Sequence, residues 1–409
     1  MGAQVMVSMP TIRRDGAQTV VTADVEVSGS PPVTVWYRCP VEQVGQEQAL
    51  DAFFVLALVP AMSRSATLMM PGPVSRDLLR QAETFQDIFG QWFPGVMTPV
   101  PVVAPVRSEP PTLPEGRGRA CCFTAGVDSF YSVINAPEPL TYLVYVHGFD
   151  IPLRAVRYRR RISRRLNAAS GQLGIPLLEV ETNLRELTDP HGHWPKHVHG
   201  SAIASVGLLL ADRIGELVIA SSQGAVPHSI YRPHGSHHIT DRLHGSEYLS
   251  VVNHAAGVSR ITKTKAVAEH PVAARQLRVC FKSRTAYNCG ACLKCRRTLL
   301  DLYALRLRRN VRTFDQPPTR KELLDNVAAG LRNRPASTQN TFDYVRANGG
   351  PPDIERALKR AIDAYALEQQ TESLLTHLAS ADPDNPAVQA TVTALVAALP
   401  ARTSAPYRT

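Results

Sequence analysis

The stretch Arg119-Ala120-Cys121-Cys122-Phe123-Thr124-Ala125-Gly126-Val127-Asp128-Ser129-Phe130 decides how this chain of 409 residues is read. Arg119–Phe123 is a short apolar run with strand character, and a helical pattern opens at Phe130. The segment between them is built of small residues. In a strand–loop–helix setting, such a loop lets backbone N–H groups approach an anion, and the helix N-terminus adds its positive end. Thr124 and Ser129 bring hydroxyl donors. Asp128 has the wrong sign to touch phosphate, so its roles are to hold Mg²⁺ or to fix the loop by accepting N–H bonds. An ordinary strand-to-helix turn with a capping Ser or Asp has the same local composition.

Working outward, strand patterns at Tyr142–His147, Leu177–Val180 and Glu216–Ser221 alternate with helical patterns at Ala155–Leu173 and Gly200–Ile214. This alternation predicts an α/β fold with a parallel, doubly wound sheet over residues 119–310, whose ligands bind beyond the carboxyl ends of the strands. Residues 1–98 read as a separate N-terminal α+β domain. Val21, Ala23, Val25 and Val27 alternate with polar residues, Val33–Cys39 is a second strand, and a helix starts after Ser75, with Leu78, Ala82, Phe85, Phe89 and Trp92 on one face. Six prolines make residues 99–118 a linker without regular structure. Residues 311–409 read as a helical C-terminal region whose tail, from Pro400, is disordered.

The charge balance is +10, and the excess is clustered: residues 151–165 carry seven arginines and no acid, and residues 278–309 carry nine Lys or Arg against Asp301 alone. Such clusters attract phosphate, so ATP or RNA is a partner they admit, although a solvated helix face has the same appearance. The longest apolar run, Ala52–Met62, is about half of what a bilayer span requires, and the N-terminus lacks the order of a secretory signal. A soluble, cytoplasmic protein is expected.

Four of the seven cysteines, Cys280, Cys289, Cys292 and Cys295, fall within sixteen residues. Clustering of this kind in a cytosolic chain indicates metal rather than disulfides. Four thiolates complete a tetrahedral Zn²⁺ site of the closed, structural type. An iron–sulfur cluster and a redox thiol pair are the competing readings.

The loop Thr124–Ser129 resembles the SGGxDS signature of the PP-loop (ATP pyrophosphatase) superfamily, with Thr124 for the usual Ser and Ala125 for the first Gly. An alanine fits there if its φ is negative. The order of loop and cysteine cluster is similar to the 7-cyano-7-deazaguanine synthase family across residues 119–300. His199-Gly200 stands where that family has an Arg-Asn pair, and Gly235–Asp241 where it has an Asp-containing, substrate-contacting stretch. The resemblance implies a PP-loop/HUP-like fold and an ATP-dependent, AMP-forming carbon–nitrogen ligase. Such an enzyme adenylates a small-molecule acid and passes it to ammonia or an amine. ATP, Mg²⁺ and Zn²⁺ are the cofactors it implies.

The cofactor-binding candidates are Thr124, Ala125, Gly126, Val127, Asp128 and Ser129. The catalytic candidates are Asp128, Ser129, His199, His237 and Asp241. Lys263 and Lys265 are further candidates for phosphate. The histidines at 191–199 and 228–244 lack the i, i+4 register of a zinc protease, and for each a surface or structural role competes with a chemical one. A tRNA-modifying enzyme of the same superfamily and a non-catalytic nucleotide-binding protein are the alternative functions. A homodimer is compatible with each of these readings, and a membrane partner with none.

Overall fold

A computed structural model of the chain describes residues 2–222, 232–328, 335–379 and 385–398. Met1–Pro317 and Pro318–Thr409 form two compact units.

The first unit is organised on an 11-stranded sheet. Its strands are β1 (Gln4–Val7), β2 (Thr11–Asp15), β3 (Gln18–Val27), β4 (Val33–Cys39), β5 (Thr67–Met69), β6 (Val102–Val103), β7 (Gly118–Cys122), β8 (Tyr142–His147), β9 (Leu177–Thr182), β10 (Ile214–Ala220) and β11 (Ser250–His254). The order across the sheet is β11-β10-β7-β8-β9-β4-β3-β1-β5-β6, with β2 on the free part of the β3 edge.

The parallel, doubly wound sheet of PP-loop/HUP type expected from the sequence is not what forms. β11, β10, β7, β8 and β9 are parallel neighbours. β9 then meets β4 antiparallel through Tyr37↔Thr182 and Arg38↔Glu181, and β4 and β1 both run antiparallel to β3. The sheet is therefore mixed, and the strands of residues 1–98 continue it. The alternation Val21, Ala23, Val25, Val27 does bury one face of β3. Alternation reports faces, however, and not which strand takes each hydrogen-bonding edge. Asn183 extends the short β9–β4 pairing. Its side-chain amide imitates a peptide unit, accepting from Trp36 N–H at 2.9 Å and donating to Thr34 O at 2.9 Å.

Helix α1 (Gln46–Ser63) is buried on nearly all sides, as is α6 (His199–Leu209), and the two pack on each other. Helices apolar all round belong inside, between other layers. Tyr37 OH lies 3.0 Å from Ser205 Oγ and joins β4 to α6. Helix α2 (Arg76–Trp92) is capped by Ser75, which accepts from Leu78 N–H at 3.1 Å, and buries Leu78, Ala82, Phe85 and Phe89. The proline-rich linker contributes β6 and buries Arg107, which pairs with Asp51 on α1 at 2.5 Å. Tyr248 OH donates to the other Asp51 oxygen at 2.8 Å.

The remaining helices of this unit are α3 (Val127–Ile134), α4 (Val156–Leu173), α5 (Arg185–Thr188), α7 (Arg260–Glu269), α8 (Pro271–Gln276) and α9 (Leu293–Ala304). α3 packs on α7, α4 on α8, and α7 on α9. Among the described residues no helix is long and apolar enough to cross a membrane.

The described part of the second unit is helical: α10 (Arg320–Asp325), α11 (Pro335–Ala347), α12 (Pro352–Ala379) and α13 (Pro386–Ala398). Thr319 and Glu322 form a capping box, Arg320 pairs with Asp353 at 2.6 Å, and Ile354 and Leu358 are fully buried. The tail from Pro400 and His228 lie outside the described residues.

Candidate functional site

The loop 124–129 leaves the carboxyl end of β7. From β7 the chain goes on to β8 on one side, whereas its other neighbour, β10, goes on to β11 on the opposite side. Strand order thus reverses between β7 and β10, and the crevice beyond such a reversal is where open α/β sheets bind ligands.

Gly126 is the N-cap of α3. The Ser129 hydroxyl ties the loop together, accepting from Gly126 N–H at 3.0 Å and lying 3.2 Å from Gly126 O. Thr124 is exposed at the tip, and Val127 is buried beneath it. The negative φ that an alanine needs is not found: Ala125 has φ +55°. A left-handed non-glycine residue costs about 1 kcal/mol or more, so the loop holds a conformation that glycine accepts more readily. Part of the restraint comes from outside, because Ala125 O accepts from Arg278 N–H at 2.7 Å.

Asp128 does not stand open for Mg²⁺. Its Oδ2 pairs with Arg260 at 2.6 Å and its Oδ1 lies 3.7 Å from Lys263 Nζ. Burial by itself raises this carboxyl, but Arg260, Lys263 and Arg297 outweigh it and hold the group below the usual carboxylate range. Both oxygens face cations, so Asp128 does not fit the part of a magnesium ligand in this arrangement. Lys263, a candidate for phosphate, is 1% exposed. Its ammonium donates to Ser221 O at 2.7 Å, just after β10. One lysine therefore spans the crevice, from the end of β10 to the loop after β7. Lys265 is a surface residue, 4.0 Å from Glu269.

The cysteine cluster lies close by along the chain. The Sγ atoms of Cys280, Cys289, Cys292 and Cys295 are all within 4.8 Å of one another, which is compatible with a metal ion. Cys289–Cys295 and Cys292–Cys280 are each 4.0 Å apart. Sulfurs 2.3 Å from a tetrahedral centre stand about 3.8 Å apart. Cys292 N–H points at Cys289 Sγ and Ser283 N–H at Cys280 Sγ, both at 3.4 Å, the direction that favours thiolates. Gly290, at φ +75°, makes the tight turn between two of the cysteines. Cys292 is the N-cap of α9, and Lys294 and Arg297 are carried on that helix.

The other candidates scatter. His199 opens α6 against Trp194, ring centroids 5.5 Å apart. Burial holds its imidazole below the usual value; Lys294 and Arg185 add to this and Asp150 opposes it. Next to it, a Cβ on Gly200 would stand 2.5 Å from Asp241 Oδ1, so no second side chain fits where the resemblance has Arg-Asn. Asp241 is fully buried and accepts from Ser236 Oγ at 2.9 Å, His237 N–H at 3.0 Å and Asn253 Nδ2 at 2.7 Å. Burial pushes its carboxyl up to about 6, against those three hydrogen bonds. His237 is fully buried between Trp92, at 4.8 Å, and His238, at 4.3 Å. His237 and Asp241 thus hold the turn 235–241 beside α6 and α2, and Asp241 lies near enough to Cys122, at the end of β7, to add to burial in raising its thiol. His197 and His244 pack on Phe93 and Phe85 in the same manner.

Arg260, Lys263 and Arg278 are the site residues that sequence reading missed or undervalued. The available signal was the i, i+3 spacing of Arg260 and Lys263 behind the N-cap Ser259, which puts both on one face of α7.

A family model described as "Family of unknown function (DUF6395)" matches residues 243–381. That stretch includes Arg260, Lys263 and the four cysteines and begins after the loop. No curated protein and no solved structure matches the chain.

Proposed function

We propose that the crevice between β7 and β10 binds the phosphates of ATP, and that the chain is an ATP-dependent, AMP-forming ligase that adenylates a carboxylate for transfer to ammonia or an amine. The observation that carries this reading is Lys263, a buried ammonium that joins the end of β10 to the loop at the N-terminus of α3. Loop amides, a helix N-terminus and two cations on one side of a crevice are the elements of polyphosphate recognition. The carboxylate attacks the α-phosphorus, the bond to the β-phosphate oxygen breaks, and pyrophosphate leaves with that electron pair. The amine then attacks the acyl carbon, AMP departs, and the amine gives up a proton. Arg260 and Lys263 would stabilise charge on the departing pyrophosphate. No step is assigned to Mg²⁺, since Asp128 is occupied by those cations.

The four cysteines fit Zn²⁺ as a structural ion. Bound there, it would fix α9 and, through the segment 278–280, the phosphate loop.

Ala125 and the ion-paired Asp128 favour a second reading, nucleotide binding without turnover. One experiment separates the two: AMP and pyrophosphate formation by the purified protein over a panel of small acids with ammonium, alongside ATP binding by calorimetry. Turnover that Arg260→Gln abolishes supports the ligase. Tight binding with no AMP from any acid supports the second reading, and no ATP binding rejects both.

A further inference from the structure

The β9–β4 pairing lasts for only two residue pairs, and where it stops a groove of about 830 Å³ opens under α4. Gln18, Arg38, Arg160, Ser163 and Arg164 are among its lining residues. Its acids are already engaged. Glu179 binds His147, Ser163 and Asn167, each at 2.7 Å, and Glu181 pairs with Arg159. The cations are less committed. Arg38 has Asp15 only at 3.8 Å, and among the described residues Arg160 and Arg164 have no ion pair.

The same charge runs along α4. Arg154, Arg157, Arg160 and Arg164 are exposed, and no acid stands on the helix to offset them. Of the other three arginines in this run, Arg159 pairs with Glu181, Arg161 donates to Thr285 O, and Arg165 lies 5.2 Å from the Tyr287 ring. Like charges three and four residues apart destabilise a helix by a few tenths of a kcal/mol per pair, a cost that a bound polyanion removes.

We propose that α4 and the groove beside it bind a single nucleic-acid strand by its phosphate backbone. Arg157 to Arg164 spans about 10 Å along the helix, longer than one mononucleotide phosphate group requires. The groove is concave and lined by planar forks that fit phosphodiester oxygens, whereas a flat lipid headgroup layer does not enter a concavity. Gln18 offers hydrogen bonds without fixing a sequence. The proposal does not rest on the ATP reading, and its test needs no nucleotide.

The test is fluorescence anisotropy of the full chain with labelled oligouridine and oligothymidine over a salt series. Three arginine–phosphate contacts give a log–log slope of about −2. Arg160→Gln/Arg164→Gln is expected to weaken binding about tenfold and flatten the slope by about 1.4, with an unchanged melting temperature. The control Arg356→Gln/Arg360→Gln, exposed on the second unit, is expected to bind like wild type. Preference for oligouridine identifies RNA, and equal binding identifies the backbone common to both; either upholds the proposal. No binding at low salt overturns it, as does equal weakening by both variant pairs. Binding to phosphatidylserine vesicles without oligonucleotide binding overturns it in favour of a membrane surface.

Discussion

The amide of Arg278 donates to the carbonyl of Ala125 at 2.7 Å, which fastens the loop before α3 to a residue two places before Cys280. Anything that frees Cys280 loosens the loop as well. Cys289→Ser is therefore expected to abolish binding of the zinc ion proposed for this cluster, read by elemental analysis. It is also expected to weaken ATP binding about tenfold. Retention of ATP affinity by the metal-free variant would show that loop and cluster are uncoupled.

Asp128 and its two cations give a charge test. Asp128→Asn leaves Arg260 and Lys263 without their carboxylate, so pyrophosphate affinity should rise, while stability falls by about 2 kcal/mol. Arg260→Gln should do the opposite to affinity, lowering it about tenfold. Calorimetry with pyrophosphate alone reads both. A loss of affinity in Asp128→Asn would restore the carboxylate to a ligand-holding role.

Ala125 tests the loop backbone. Ala125→Gly relieves the left-handed strain but adds freedom to the unfolded chain, for a net gain of up to about 1 kcal/mol. Ala125→Val places a β-branched side chain at the same φ and should cost about 2 kcal/mol. Urea midpoints order the three proteins Gly, Ala, Val from most to least stable.

Asp241 and Asp128 predict opposite pH dependences. Burial pushes Asp241 up to about 6, so its protonated form fits the fold better. Its contribution is complete below about pH 4 and is lost as pH rises through 6, by about 3 kcal/mol. Asp128 is held below its ordinary range, so its contribution is present above about pH 4 and is lost as pH falls through its folded value. Asp241→Asn should flatten the decline between pH 4 and 7, and Asp128→Asn should flatten the acid limb. Urea midpoints across that range read both slopes.

The parallel half of the sheet was legible because its strands and helices alternate in period, and Ser75 announced α2 by its position. The pairing of β4 with β9 was not legible. It joins residues some 140 apart, and Asn183, which completes it, looks like any polar residue after a strand. The cysteine spacing gave the four-thiol cluster directly, because residue type and turn length are local. The strand-to-helix turn was legible, but α3 begins at Val127 and not at Phe130, and nothing local announces the positive φ at Ala125, whose carbonyl is held by Arg278 from far along the chain. Lys263 was undervalued for a similar reason: its burial depends on Ser221 and Asp128, which only the folded sheet brings to it. His237 and Asp241 drew attention because they flank expected strand ends; their aromatic packing and turn hydrogen bonds depend on Trp92 and Asn253, which only the fold brings to them.

The same β4–β9 pairing sets a timetable for synthesis. β4 is complete about 140 residues before its partner leaves the ribosome, an interval of roughly 7 to 30 seconds at ordinary translation rates. Throughout that interval one edge of β4 and the face of α1 that meets α6 have no partner. Residues 1–98 must therefore wait for β9 and α6, and a nascent chain halted before residue 182 is a client for chaperones rather than a folded intermediate.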